Sequence, residues 1–235
     1  MVMAKKGWVV LFVLLLVCGI ALAGDESPGF SGRGYFMIGG NMAHLGDLNS
    51  ELKDAGYPSF EEDFFTLGVG GFFVIKKVIL GGEGFVFLPR DASNEDYTVE
   101  LSGSYGVFNI GYMAFSKWGL DVYPLLGIGG YGFTLEIYER GSHSFDDILD
   151  DPRRGAYMTT GGFTLLPALG VDYLFDLSSS EKSAGGIVVG LRAGYAYSPV
   201  EGDWRFGESD VSNAPAVGLT GPFVFLTIGA GGGPR

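Results

Sequence analysis

The sequence predicts an all-β fold: an eight-stranded antiparallel up-and-down transmembrane β-barrel. Three observations predict it. Large apolar residues alternate with small or polar ones at period two over long stretches, 41 of the 235 residues are glycine and 19 are phenylalanine, and the connections alternate between short and long. A period of two sends successive side chains to opposite faces of a strand, whereas a helix repeats every 3.6 residues.

The stretch FFTLGVGGFFVIKKVILGGEGFVF, Phe64 to Phe87, shows all three features. It is apolar enough for a membrane, yet each glycine weakens a helix by about 1 kcal/mol relative to alanine. Two apolar runs meet at Lys76-Lys77, which reads as a charged turn between strands.

The predicted strands are 31–42, 63–75, 78–88, 97–115, 120–138, 159–176, 185–198 and 215–230. In the first, Arg33, Tyr35 and Met37 share one parity, assigned to the interior. The second and third form the lysine-turned hairpin, with Glu83 inward. The fourth and fifth carry Glu100 and Glu136, also assigned inward. Their alternation slips near Asn109 and at Gly129-Gly130, which is read as bulges or crossings of the membrane boundary. The sixth places Phe163, Leu165, Leu169 and Val171 on a large apolar face, against a mixed face holding Leu166 and Asp172. The seventh repeats this, with Ile187, Val189 and Leu191 opposite Gly190 and Arg192. The eighth contains Phe223-Val224-Phe225-Leu226-Thr227-Ile228.

Connections after the second, fourth and sixth strands are short: Lys76-Lys77, Ser116 to Gly119, and Leu177 to Ser183. The others are mostly longer and polar. Ala43 to Glu62 includes the helical-looking HLGDLNSELKDAGYP, ended by Gly56 and Pro58; Glu139 to Met158 holds FDDILDDPRR, and Pro199 to Ala214 holds EGDWRFGESD. Short turns at one end and long loops at the other describe a barrel whose large face meets lipid.

Residues 1–23 read as a secretory signal peptide: Lys5-Lys6, an apolar run from Trp8 to Leu22, and Ala21-Leu22-Ala23 before the expected cleavage. Residues 24–235 would then form the barrel domain. Leu15-Leu16-Val17-Cys18 resembles a lipidation site, but Val17 is larger than the small residue expected there. Cleavage would remove Cys18, the sole cysteine, leaving no disulfide or thiol chemistry. It would also take the formal charge from −12 to −14, which makes nucleic acid a poor partner.

On these features, and on runs such as GYMAFSKWGLDVYPLLGIGGYGF (Gly111 to Phe133), the chain resembles the small outer-membrane β-barrel proteins of double-membraned bacteria, of OmpA and OmpX type. The resemblance implies export to the outer membrane, short turns in the periplasm and long loops outside. It also implies a monomer surrounded by outer-membrane lipid, with an envelope-structural or surface-interaction role. Barrels of this kind often end on an aromatic residue, whereas here Gly229 to Arg235 follows the last apolar strand.

The inward parity collects Arg33, Glu83, Glu100, Glu136, Asp172 and Arg192. An eight-stranded interior is only wide enough to be filled by side chains, so these charges are expected to pair as a lumen network rather than line a pore. Ser142, His143 and Asp146 have the residue types of an acyl-transfer site, but they crowd into one loop, so no catalytic residue is assigned. Asp146, Asp147, Asp150 and Asp151 offer oxygen ligands to divalent cations at a spacing unlike an EF-hand loop, so no metal site and no cofactor is assigned. Tyr97, Trp118, Tyr123, Tyr138 and Tyr157 lie near strand ends, as an interfacial aromatic girdle would place them. A non-enzymatic barrel heads the functional readings. A lipid-modifying enzyme on the same fold and a soluble lipocalin-like carrier of a small apolar ligand are the alternatives.

Overall fold

A computed structural model describes residues 30–141, 146, 155–180 and 182–234. Eight long strands follow the alternation: β1 (Phe30–Met42), β2 (Asp63–Ile75), β3 (Val78–Ser93), β4 (Tyr97–Tyr112), β6 (Leu120–Glu139), β7 (Gly155–Asp176), β8 (Ser183–Glu201) and β11 (Gly221–Pro234). Three short pieces complete the β-structure: β5 (Phe115–Lys117), β9 (Arg205–Phe206) and β10 (Ser209–Asp210). Each long strand pairs antiparallel with the next, and β1 pairs with β11 from Gly32↔Gly232 to Asn41↔Phe223. The sheet is a closed eight-stranded barrel. Closure leaves no open edge among the long strands, so each has a neighbour on both sides.

One end carries tight turns. Lys76 and Lys77 connect β2 to β3 with φ of 51° and 80°, and Trp118-Gly119 connect β5 to β6 with φ of 56° and 80°. Two successive left-handed residues match the twist of a two-residue hairpin. The other end carries the loops. Helix α1 (Gly46–Asp54) buries Leu48 and Leu52, and Asn49 clamps Phe60 by donating to its carbonyl and accepting from its N–H, each at 2.9 Å. Leu45, Phe60, Trp204, Val217 and Leu219 are buried with them, so the loops form an apolar lid continuous with the barrel core.

Two expectations about the strands need correction. The third connection is a tight turn at 94–96, because β3 runs on to Ser93; the Asn94 side chain accepts from the N–H groups of Asp96 and Tyr97 at 3.0 and 2.7 Å. The ladder is also unbroken at Asn109 and at Gly129-Gly130. Register shifts fall instead between Phe87 and Arg90, across Pro89, and between Phe163 and Leu165, opposite Pro199. Proline has no N–H to give a ladder, and that accounts for both places.

The barrel wall separates two chemistries. Phe36, Phe65, Phe108, Leu169, Leu191, Val224 and Ile228 project outward and are exposed, Phe36 by 68% and Leu169 by 53%. Inside the loop-end half, aromatic rings fill the lumen: Phe85 stacks on Tyr105 at 4.3 Å between centroids and Phe87 on Phe133 at 5.4 Å.

Candidate functional site

The turn-end half of the lumen holds a charge network. Arg33 on β1 donates to Asp172 on β7 at 2.8 Å and pairs with Asp121 on β6. Arg192 on β8 pairs with Glu83 on β3. One tyrosine joins the halves: Tyr123 donates to Asp172 at 2.7 Å and accepts from Arg192 at 3.1 Å, while Tyr35 braces the second pair by donating to Glu83 at 2.6 Å and accepting from Arg192 at 3.3 Å. The guanidinium of Arg33 lies 5.5 Å from the Phe72 ring centre, and that of Arg192 lies 5.1 Å from Tyr35. All of these side chains are buried.

The backbone explains how they meet. Tyr35, Gly70 and Glu83 occupy one row across β1, β2 and β3. A Cβ at Gly70 would sit 2.6 Å from the Glu83 side chain, so glycine there clears the path between tyrosine and carboxylate. Two guanidiniums face three carboxylates, so the network carries an excess of negative charge when all are ionised. Beside it, Arg192 Nε and Thr227 Oγ1 are buried without a hydrogen-bond partner among the described residues. Such an arrangement orients charges rigidly and fills the cross-section.

Of the six residues expected inside, the structure brings together Arg33, Glu83, Asp172 and Arg192. Glu100 and Glu136 are corrected to the outer face: they are Cα partners, and their neighbours Val99, Leu101 and Leu135 are the buried ones. Along β6 the inward residues are Tyr131, Phe133 and Leu135, whereas Gly130, Gly132, Thr134 and Glu136 point out. The assumption that small residues face inward fails in the loop-end half because aromatic rings fill the lumen there. The same parity identifies Asp121 as inward, which sequence reasoning missed. Tyr123, expected in the girdle, is fully buried in the network, while Trp118, Tyr138 and Tyr157 are exposed near strand ends and Tyr97 packs edge-on against Tyr57.

At the outer rim, Asp91, Glu100 and Glu136 lie in one row across β3, β4 and β6. The signal-peptide region 1–23, together with Ser142, His143, Asp147, Asp150 and Asp151, lies outside the described residues; Asp146 is exposed. Among the described residues no cluster of three metal-ligating side chains occurs.

No sequence profile of a known protein family matches the chain. A 94-residue stretch is 34% identical to adenosine 3'-phospho 5'-phosphosulfate transporter 2 of Caenorhabditis briggsae, and this covers 36% of the chain and 26% of that protein. The chain thus spans about a quarter of that relative's length. Three solved structures are similar in shape. Neisserial surface protein A is 12% identical with a TM-score of 0.36, covering 88% of this chain and 98% of that one. The outer membrane protein OprG from Pseudomonas aeruginosa is 14% identical at 0.32, covering 90% and 99%. The outer membrane protease OmpT from Escherichia coli is 9% identical at 0.35, again covering 90% and 99%. The closed barrel itself rests on this chain's own strand pairing.

Proposed function

We propose that this chain is an integral outer-membrane protein of a double-membraned bacterium, exported by a signal peptide cleaved after Ala23. In this reading it acts as a plugged, non-enzymatic barrel with an envelope-structural or surface-interaction role. The observation that carries it is the exposed apolar wall. Phe36, Ile38, Phe108, Ile110, Leu169, Val171, Leu191, Val224, Leu226 and Ile228 are outward around a barrel whose own core is already filled. Water would penalise such a surface, and lipid removes the penalty.

The packed lumen supports the plugged reading. Aromatic rings fill one half, the charge network crosses the other, and the loop lid covers the first. The external loops support a surface role: Asp47, Glu51, Asp54, Glu61, Glu95, Asp96, Glu139, Asp203, Glu208 and Asp210 are exposed at that end, where they suit a cationic ligand or divalent cations. The chain is read as a monomer, since its wall closes on itself.

Two measurements test the reading. In fractionated cells the protein should leave with the detergent-extracted outer membrane; recovery in the soluble periplasm would favour an apolar-ligand carrier instead. In a planar bilayer the purified protein should show little steady conductance, and large stable steps would refute the plug.

A further inference from the structure

The turn end breaks a local rule twice, and both breaks place large side chains at the same rim. A two-residue turn with both φ values positive favours asparagine and glycine, because a Cβ crowds the backbone there. The first turn instead uses Lys76 at φ 51° and Lys77 at 80°. The second uses Trp118 at φ 56° before Gly119, with Lys117 just ahead of it. Neither lysine nor tryptophan is a turn-forming residue, so these choices lower the stability of the hairpins that hold them. A local cost that the fold does not require points to a task at that position.

The two turns form one patch. The N–H of Met113, between β4 and β5, donates to the Lys77 carbonyl at 2.7 Å, which ties the first turn to the chain leading into the second. Lys76, Lys77 and Lys117 are all exposed, and no carboxylate among the described residues pairs with them. Trp118 is 85% exposed, with its ring edge-on to Phe115 at 6.5 Å. Ile75, Val78 and Tyr112 continue the patch directly into the apolar wall. Ammonium groups therefore stand just past the hydrocarbon-facing residues, beside an aromatic side chain of the kind that prefers a headgroup layer.

We propose that this cationic, tryptophan-bearing rim is a docking surface for anionic phospholipid headgroups in the leaflet facing the turns. The proposal rests on the membrane reading above. Charge complementarity selects the headgroup: unpaired ammonium groups attract phosphodiesters, and a net negative lipid more than a zwitterionic one. Continuity with the apolar wall selects a lipid over a soluble anion, because acyl chains can lie on Ile75, Val78 and Tyr112 while the phosphate meets the lysines.

The test uses the full mature chain refolded into vesicles of phosphatidylcholine holding a minor fraction of spin-labelled lipid. Electron paramagnetic resonance then compares boundary association of labelled phosphatidylglycerol with that of labelled phosphatidylcholine. The wild type should favour phosphatidylglycerol by roughly fivefold at low salt, the effect of about one effective lysine contact, and lose the preference in concentrated salt. The variant Lys76→Asn/Lys77→Gly/Lys117→Gln should fold at least as well, since it installs the favoured turn, yet show no preference. Equal association of both lipids with the wild type, or an undiminished preference in the folded variant, would overturn the proposal. So would retention of the wild type on a soluble cell-wall polyanion without lipid selectivity. Failure to insert into vesicles of any composition would instead defeat the membrane reading on which it stands.

Discussion

Arg192→Ala is the sharpest probe of the lumen. The side chain is 3% exposed, pairs with Glu83, donates to Tyr123 at 3.1 Å and to Tyr35 at 3.3 Å, and lies over both tyrosine rings. Removing it leaves Glu83 with the Tyr35 hydroxyl as its hydrogen-bond partner, and leaves Arg33 as the network's single cation against three carboxylates. Loss of one partner from a buried pair costs about 3–5 kcal/mol, much of it from the stranded charge. Urea unfolding in lipid vesicles, followed by the shift in gel mobility between folded and unfolded forms, should report a loss of that size. Adding Glu83→Gln should recover part of it, because a neutral amide needs no counter-charge, and the exchanged pair Glu83→Arg with Arg192→Glu should do likewise. A loss below about 1 kcal/mol, the range of a solvent-exposed pair, would refute the reasoning. So would strict additivity of the Glu83 and Arg192 substitutions.

Leu169→Arg should hinder membrane assembly at a cost of about 2–4 kcal/mol near the midplane, and equal folding yield in vesicles would count against the outward orientation of β7. Adjacent glycines on β1 should respond oppositely. A Cβ at Gly39 would meet Val224 O at 1.9 Å, so Gly39→Ala should sharply reduce folding yield, whereas a Cβ at Gly40 meets only Phe64 O at 3.5 Å and Gly40→Ala should be nearly neutral.

The strand pattern was legible because a period of two survives whatever fills each face. All eight long strands were found that way, and the Lys76-Lys77 turn was marked by charge between two apolar runs. The orientation of individual residues was less legible. Glu136 is misplaced because composition does not mark the lipid face along a whole strand, and Tyr123 because nearness to a strand end does not fix which face a side chain takes. In β6 the lumen side starts with Asp121 and Tyr123 and ends with Phe133 and Leu135, so neither polarity nor size marks it throughout. Parity carried from one secure position would have assigned both correctly. The bridging role of Tyr123 is out of reach, because it depends on the Arg33–Asp172 pair of β1 and β7 lying beside the Arg192–Glu83 pair of β8 and β3 inside the barrel. So is the lid, whose buried residues come from separate loops.

The seam between β1 and β11 gives assembly of this barrel a natural order. Every other ladder among the long strands joins consecutive ones, so each can form as a hairpin or a near-hairpin with a small loop to close. The seam joins Gly32 to Gly232, the two ends of the barrel, and such long-range pairing is reached only after the local hairpins have brought its strands together. Arg33 sits on β1 at that seam with its partners Asp121 and Asp172 on β6 and β7, and Arg192 on β8 meets Glu83 on β3. Those bonds reach across the interior, so they form when the first strand settles beside the last. The cross-barrel ion pairs are thus also a latch: they add their stabilisation at the closing step, and an unclosed sheet of the same hairpins would lack them.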